Sequence, residues 1–160
     1  PRTVVMFECH DKSGGYYRDD GSTPSLTDLR NFWKRVALRY KNNPWVWFNI
    51  MNEPGYNTNA TQEWYDLHNT VIQDIRAQGA NNLIVCDGNN FASEEVNTRA
   101  GNATDAGSAT LTFGQTLLNA DPARKLVFSF HTYNGWIWSR DKIFDFVTRV
   151  QNKNLAIMVG

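Results

Sequence analysis

The chain has 160 residues, with 16 Lys+Arg against 16 Asp+Glu, so its formal net charge is zero and it lacks the basic surplus that nucleic-acid binders carry. Hydrophobic residues at 41% and charged residues at 20% are ordinary globular usage, which excludes wholesale disorder. No apolar run approaches the roughly 20 residues of a membrane-spanning helix, and two cysteines cannot build a disulfide scaffold.

The first predicted element is a strand over Val4 to Cys9. Leu26, Leu29, Phe32, Trp33, Val36, Ala37 and Tyr40 then follow the 3.6-residue period, which predicts a helix from about Ser25 to Tyr40. Thr23-Pro24-Ser25 supplies its N-cap region, with Pro early in the first turn. Asn42-Asn43-Pro44 breaks it, and a second strand follows over Trp45 to Ile50. Trp64, Leu67, Val71, Ile72 and Ile75 mark a second helix that Gly79 ends. A short strand over Leu83 to Cys86 comes next. From about Ser93 to Thr112 the mixed small and polar residues predict no definite element. Leu126 to Phe130 reads as a fourth strand, Ile143, Phe144, Val147 and Val150 as a third helix, and Leu155 to Val159 as a fifth strand.

Strand and helix alternate every 30 to 40 residues or so, which implies βαβ units and a parallel sheet. The strands are continuous apolar runs, as expected where helices cover the sheet. An open doubly wound sheet and a (β/α)₈ TIM barrel both fit. No Gly-rich phosphate loop follows a strand, which weakens the nucleotide-binding version. A whole barrel takes about 250 residues, so five strands here predict a partial one. Both ends fall in strand-like runs, Val4 to Phe7 and Leu155 to Gly160. Residues 1–160 are therefore expected to be one incomplete domain truncated at both ends, with apolar edge strands and poor solubility.

Polar groups gather where the strands end: Glu8-Cys9-His10-Asp11, Asn52-Glu53-Pro54, Asp87-Gly88-Asn89-Asn90 and His131-Thr132-Tyr133-Asn134. In a barrel these ends open on one face, where catalytic groups collect. A lone glutamate after a strand is ordinarily a solvated loop residue, and a lone histidine a structural one. Repetition at four strand ends is harder to dismiss. Gly-x-Ser-x-Gly is absent, which removes a serine nucleophile. His10 and His131 are isolated, with neither His-x-His nor His-Glu-x-x-His, so no metal and no cofactor is expected. Cys9 and Cys86 form no C-x-x-C motif and read as small buried residues, although a bond between them is compatible with the sequence. Carboxylates amid amides and aromatic rings remain, and they are the equipment of glycoside hydrolysis.

Val46-Trp47-Phe48-Asn49-Ile50-Met51-Asn52-Glu53-Pro54 resembles the Asn-Glu-Pro signature of glycoside hydrolase family 5, the cellulase and β-mannanase family of retaining (β/α)₈ enzymes. Phe7-Glu8-Cys9-His10-Asp11 is similar to the family's third-strand segment. Asn119-Ala120-Asp121-Pro122 and Phe128-Ser129-Phe130-His131-Thr132-Tyr133 resemble its run into and through strand six, and Leu155 to Gly160 its approach to strand seven. The chain would thus cover about strands 3 to 7. The resemblance implies a secreted endo-β-1,4-glycosidase acting on cellulose, β-glucan or β-mannan. Its only partner would be that polysaccharide, with neither nucleic acid nor membrane, and the full-length protein would be monomeric. It implies Glu53 as general acid/base and Asn52 as the ligand of the sugar 2-hydroxyl. His131 and Tyr133 would shape the centre, and His10 would line the cleft. The nucleophile, a glutamate after the Val-Gly that ends strand seven, would follow Gly160, so the 160-residue chain alone is expected to be inactive.

Outside that resemblance, Trp136 and Trp138 read equally as sugar-stacking platforms and as loop packing, with Trp136 the stronger substrate-binding candidate. Trp33, Trp45, Trp47 and Trp64 read as core. Asp87 and Asn89 either contact sugar hydroxyls or only make a turn. His68 reads as structural, and the aromatics of Gly14-Gly15-Tyr16-Tyr17 as a cleft wall. Asn59-Ala60-Thr61 and Asn102-Ala103-Thr104 fit the N-glycosylation pattern. Two other readings stand beside the enzyme. A non-catalytic carbohydrate-binding barrel would have something other than Glu at position 161. An unrelated barrel enzyme would hold a metal at His10 and Asp11.

Overall fold

Short runs rich in β-branched and aromatic residues form the strands, and helices bury the central ones. The computed structural model describes residues 3–56, 62–94, 105–133 and 140–160. Among them are β1 (Val5–Glu8), β2 (Val46–Asn49), β3 (Ile84–Asp87), β4 (Leu126–Phe130) and β5 (Ile157–Val159). They form one parallel sheet in the order β1-β2-β3-β4-β5. The register pairs Phe48 with Ile84, Val85 with Val127 and Ser129 with Met158. Every strand lies beside its neighbour in sequence. That is the winding of a barrel, whereas a doubly wound sheet reverses direction at a switch point.

The helices between them are α1 (Leu26–Tyr40), α2 (Gln62–Ala77), α3 (Ala109–Ala120) and α4 (Arg140–Asn152). The start of α1 is a capping box: the Asp28 backbone N–H donates to Ser25 Oγ at 3.1 Å, and the Asp28 carboxylate accepts from the Ser25 N–H at 2.8 Å. Pro24 stands just before that cap, not inside the first turn as its sequence position suggested. Gly79 has φ 78°, as a residue closing α2 requires.

Helix α3 is the element that periodicity did not reveal. Its buried face is Ala109, Thr110, Leu111, Gly114 and Leu117, too small and too polar to register as an apolar stripe. Small residues are needed there: a Cβ on Gly114 would fall 2.7 Å from the Leu155 side chain. In α4, Val150 is buried as the period predicted, but Phe144 is 57% exposed, and Phe146 takes the core position instead.

Trp33, Trp64, Phe48, Phe128, Phe130 and Phe146 are fully buried between helices and sheet, each large apolar side chain contributing roughly 1.5–3 kcal/mol. Both indole N–H groups are satisfied by the backbone, Trp33 on Ile50 O and Trp64 on Asp87 O, at 2.9 Å each. Trp45 departs from its core reading: it lies just before β2 and is 41% exposed, and Trp47 is half-buried. Cys9 and Cys86 are free and buried, and burial first, with Asp11 and Glu8 adding, pushes the Cys9 thiol up to about 12. In the two outer strands of the sheet, Val5 is 49% and Val159 56% exposed.

Candidate active site

Because the strands are parallel, their C-terminal ends share one rim. Glu8 ends β1, Asn52 and Glu53 follow β2, Asp87 ends β3, His131 follows β4 and Gly160 follows β5. Glu53 is the turning point of this rim. Its backbone is left-handed, with φ 50°, a conformation that costs a non-glycine residue on the order of 1 kcal/mol or more. Two hydrogen bonds fix it there: its N–H donates to Asp87 Oδ2 at 3.1 Å, and its C=O accepts from Gly14 N at 2.7 Å. The carboxylate is thereby presented to His131, with Oε1 2.8 Å from Nδ1.

His131 lies between two carboxylates. On its other side, Nε2 is 3.3 Å from Asp87 Oδ2. Burial alone would disfavour the charged ring, but Asp87 and then Glu53 outweigh it and raise the pKa to about 9. The two carboxylates thus favour the charged form of the ring. Asp87 itself is fully buried. It also accepts from Asn49 Nδ2 on Oδ1 at 3.3 Å, so the buried charge is met on both oxygens. Tyr133 stands edge-on to the His131 ring at 5.8 Å between centroids, and is 59% exposed.

A second group lies beside Glu53. The Asn52 side-chain amide donates to Ser13 Oγ at 2.8 Å and to His10 Nε2 at 3.3 Å. An amide N–H only donates, so Nε2 of His10 accepts, and Nδ1 carries the proton given to Glu8 Oε1 at 3.0 Å. His10 is exposed on the rim, and Asn52 is buried beneath it.

Two further elements brace the rim. Asn90, Phe91 and Ala92 are consecutive left-handed residues, with φ 55°, 56° and 52°. Phe91 N donates to Gly55 O at 3.0 Å and His131 N donates to Ala92 O at 2.8 Å, so this turn ties the Asn-Glu-Pro loop to the histidine. At the end of β5, a Cβ on Gly160 would fall 2.6 Å from both His131 Nε2 and Ser129 Oγ. Only glycine lets that strand end approach the ring so closely.

Glu53, Asn52, His10, His131 and Tyr133 therefore meet on one rim. Trp136, with Trp138 and both glycosylation triplets, lies outside the described residues. The sugar-contact reading of Asp87 and Asn89 is corrected. Both are fully buried, and Asn89 caps α3, accepting from Ala109 N at 2.8 Å and donating to Gly107 O at 3.1 Å. Sequence reasoning missed the actual place of Asp87, between Glu53 and His131, and missed Ser13. A signal existed for Asp87: a carboxylate closing an otherwise apolar strand needs a cationic or multiply donating partner. An open hollow of about 480 Å³ lies on the flank of β1, lined by His10, Tyr17, Leu29 and Phe32 among others, and includes neither Glu53 nor His131.

Residues 3–160 match the family model described as Cellulase (glycosyl hydrolase family 5). The chain is 31% identical over 158 residues to the β-mannanase/endoglucanase A of Caldicellulosiruptor saccharolyticus, an alignment covering 98% of this chain and 11% of that protein. It superposes on the β-mannanase of Thermomonospora fusca, solved with mannohexaose, at a TM-score of 0.74 and 23% identity, covering 99% of this chain and 50% of the other. The endo-β-1,4-glucanase of Xanthomonas axonopodis pv. citri gives 0.71 at 21% identity, covering 98% and 52%. The two solved barrels carry the same fold, and the chain spans about half the length of each of them and 11% of the Caldicellulosiruptor protein.

Proposed function

This chain belongs to glycosyl hydrolase family 5, and from that premise we propose that it forms the acid/base side of a retaining endo-β-1,4-glycosidase acting on a β-mannan or β-glucan. The observation that carries the reading is Glu53, turned by its left-handed backbone onto His131 at 2.8 Å on the strand-end rim. A retaining hydrolase needs two carboxyl groups about 5–5.5 Å apart, one protonated and one ionised. Glu53 is the proton donor: it protonates the leaving oxygen, then takes the proton of the incoming water. Asn52, adjacent and held by Ser13, binds the 2-hydroxyl. His10 and Tyr133, both exposed, line the groove. The close approach of Gly160 to His131 puts the end of β5 beside the ring that Glu53 faces, which supports a second carboxylate acting from that side of the rim.

The test uses the protein that carries this chain in full. Hydrolysis of soluble mannan and of carboxymethyl cellulose is followed for the native form and for Glu53→Gln. Retained activity in Glu53→Gln, in a protein with unchanged melting, refutes the assignment. Absence of turnover on any β-linked polysaccharide by the native protein favours a binding protein instead.

A further inference from the structure

The rim contains three titratable groups in a row, and the mechanism above uses only the first. Glu53 Oε1 faces His131 Nδ1 at 2.8 Å, and His131 Nε2 faces Asp87 Oδ2 at 3.3 Å. Asp87 is fully buried, so it meets neither substrate nor bulk water. Its Oδ2 also takes the Glu53 backbone N–H at 3.1 Å. One carboxylate oxygen therefore touches both the histidine and the main chain of the residue that the histidine serves.

We propose that Asp87 is a positioning residue: it keeps a proton on Nε2 of His131, so that Nδ1 is the nitrogen turned to Glu53 and the two share a single proton. This deepens the hydrolase reading and rests on Glu53 being the donor. With Nε2–H committed to Asp87, two arrangements hold the same number of protons. In one, an imidazolium faces an ionised Glu53. In the other, the Nδ1 proton has passed to Oε1, leaving a neutral imidazole beside a protonated Glu53. The row carries one net negative charge in both. A second negative charge arriving beside Glu53, as a nucleophile would bring, favours the arrangement with the proton on Glu53. The donor is thus loaded from within the site. Without Asp87, His131 loses the partner that holds Nε2–H, and the row has no fixed direction.

Among the described residues, the groups facing His131 are Glu53 from the loop after β2, Asp87 from β3 and Tyr133 from its own segment, while Gly160, just after β5, has no side chain. The ring nitrogens of His131 can be followed by ¹⁵N NMR as pH is raised, in the native chain, in Asp87→Asn and in Glu53→Gln. The native chain should keep both nitrogens protonated well above the ordinary histidine value of about 6.5. Asp87→Asn should lower the midpoint by about one unit or more, and by more than Glu53→Gln does. If Glu53→Gln removes the whole shift while Asp87→Asn leaves it in place, the proposal is overturned. If Asp87→Asn does not fold, Glu53→Gln decides alone: a midpoint still above about 7.5 supports Asp87, and one near 6.5 or below overturns it. The titration reads only the His131–Asp87 link. Its failure leaves the hydrolase reading intact, and loss of that reading by the activity test leaves the titration standing.

Discussion

At the rim where the strands begin, polar side chains serve the backbone. Arg76 pairs with Asp121 through Nε and Nη2 at 2.8 and 3.0 Å, and its Nη1 donates to Ala80 O and Asn82 O. The Asn82 amide reaches Tyr40 O, Asn43 O and Val46 O. These contacts close loops, and the buried charges are matched one to one. At the rim where the strands end, two carboxylates crowd one histidine, four of the residues from 90 to 94 lie at positive φ, and among the described residues both side-chain polar atoms of buried Asn90 lack a hydrogen bond, against Oδ1 alone for Asn82. One rim holds matched charge with isolated left-handed residues, Arg124 and Asn154, ahead of β4 and β5, and the other holds surplus negative charge with left-handed residues clustered in one turn. Strain and mismatched charge persist where surrounding structure enforces them, and such places are functional candidates.

The largest effect that tests this contrast is on chemistry. Glu53→Gln should lower hydrolysis by about 10²–10⁴-fold, the usual contribution of a positioned proton donor, and should cost only the share of the His131 pairing that Glu53 supplies. Asp121→Asn should do the reverse. It leaves the buried Arg76 guanidinium uncompensated and should cost about 3–5 kcal/mol in a denaturant titration, with activity per folded molecule unchanged. A stability loss in the first variant comparable to that in the second would erase the distinction between the rims.

The rims should also fail at opposite ends of the pH scale. Burial opposes the charge on Asp121, but Arg76 and the backbone N–H groups of Lys125 and Ala123 prevail and hold its carboxyl below the ordinary value. A depressed carboxyl contributes stability that is present above its unfolded pKa and is lost as pH falls through the folded one. His131 is raised to about 9, so its contribution is full below its unfolded value of about 6.5 and fades as pH rises through about 9. Melting temperature followed across pH should therefore show an acid limb that Asp121→Asn flattens and an alkaline limb that His131→Gln flattens. Either variant acting on the other limb would contradict the geometry.

The barrel winding was legible because its carriers are periodic: Leu29, Trp33 and Ala37 on α1, and Trp64, Leu67, Val71 and Ile75 on α2, all buried as the spacing required. The rim positions of Glu53 and His131 were legible because both stand where apolar strands run out. Helix α3 was hidden because its buried face uses Ala, Thr and Gly, which hydropathy does not register; at Gly114 the close approach of Leu155 demands the small residue. The left-handed turn was hidden for a different reason. Asn accepts positive φ, but Phe and Ala avoid it, so nothing local in Asn90-Phe91-Ala92 announces the turn. It exists because Gly55 O and the His131 N–H hold its backbone from outside. Asp87 likewise looked like a turn residue until the three-dimensional neighbours that neutralise it were in view.

The smallest expected effect bears most directly on strain. Ala80 and Ala92 are both fully buried, the first in ordinary right-handed or extended backbone ahead of β3 and the second in the left-handed turn, with φ 52°. Replacing either by glycine removes a methyl group, at about 0.8 kcal/mol of lost burial, and loosens the unfolded chain by about 0.4–1 kcal/mol. At Ala80 nothing offsets these losses, so Ala80→Gly should destabilise by about 1–2 kcal/mol. At Ala92 the same change also releases the left-handed penalty of about 1–2 kcal/mol, which cancels most of the loss. Ala92→Gly should therefore be close to neutral in chemical denaturation. Equal losses at the two sites would mean that the 90–92 turn stores no strain, and the contrast between the rims would then rest on charge alone.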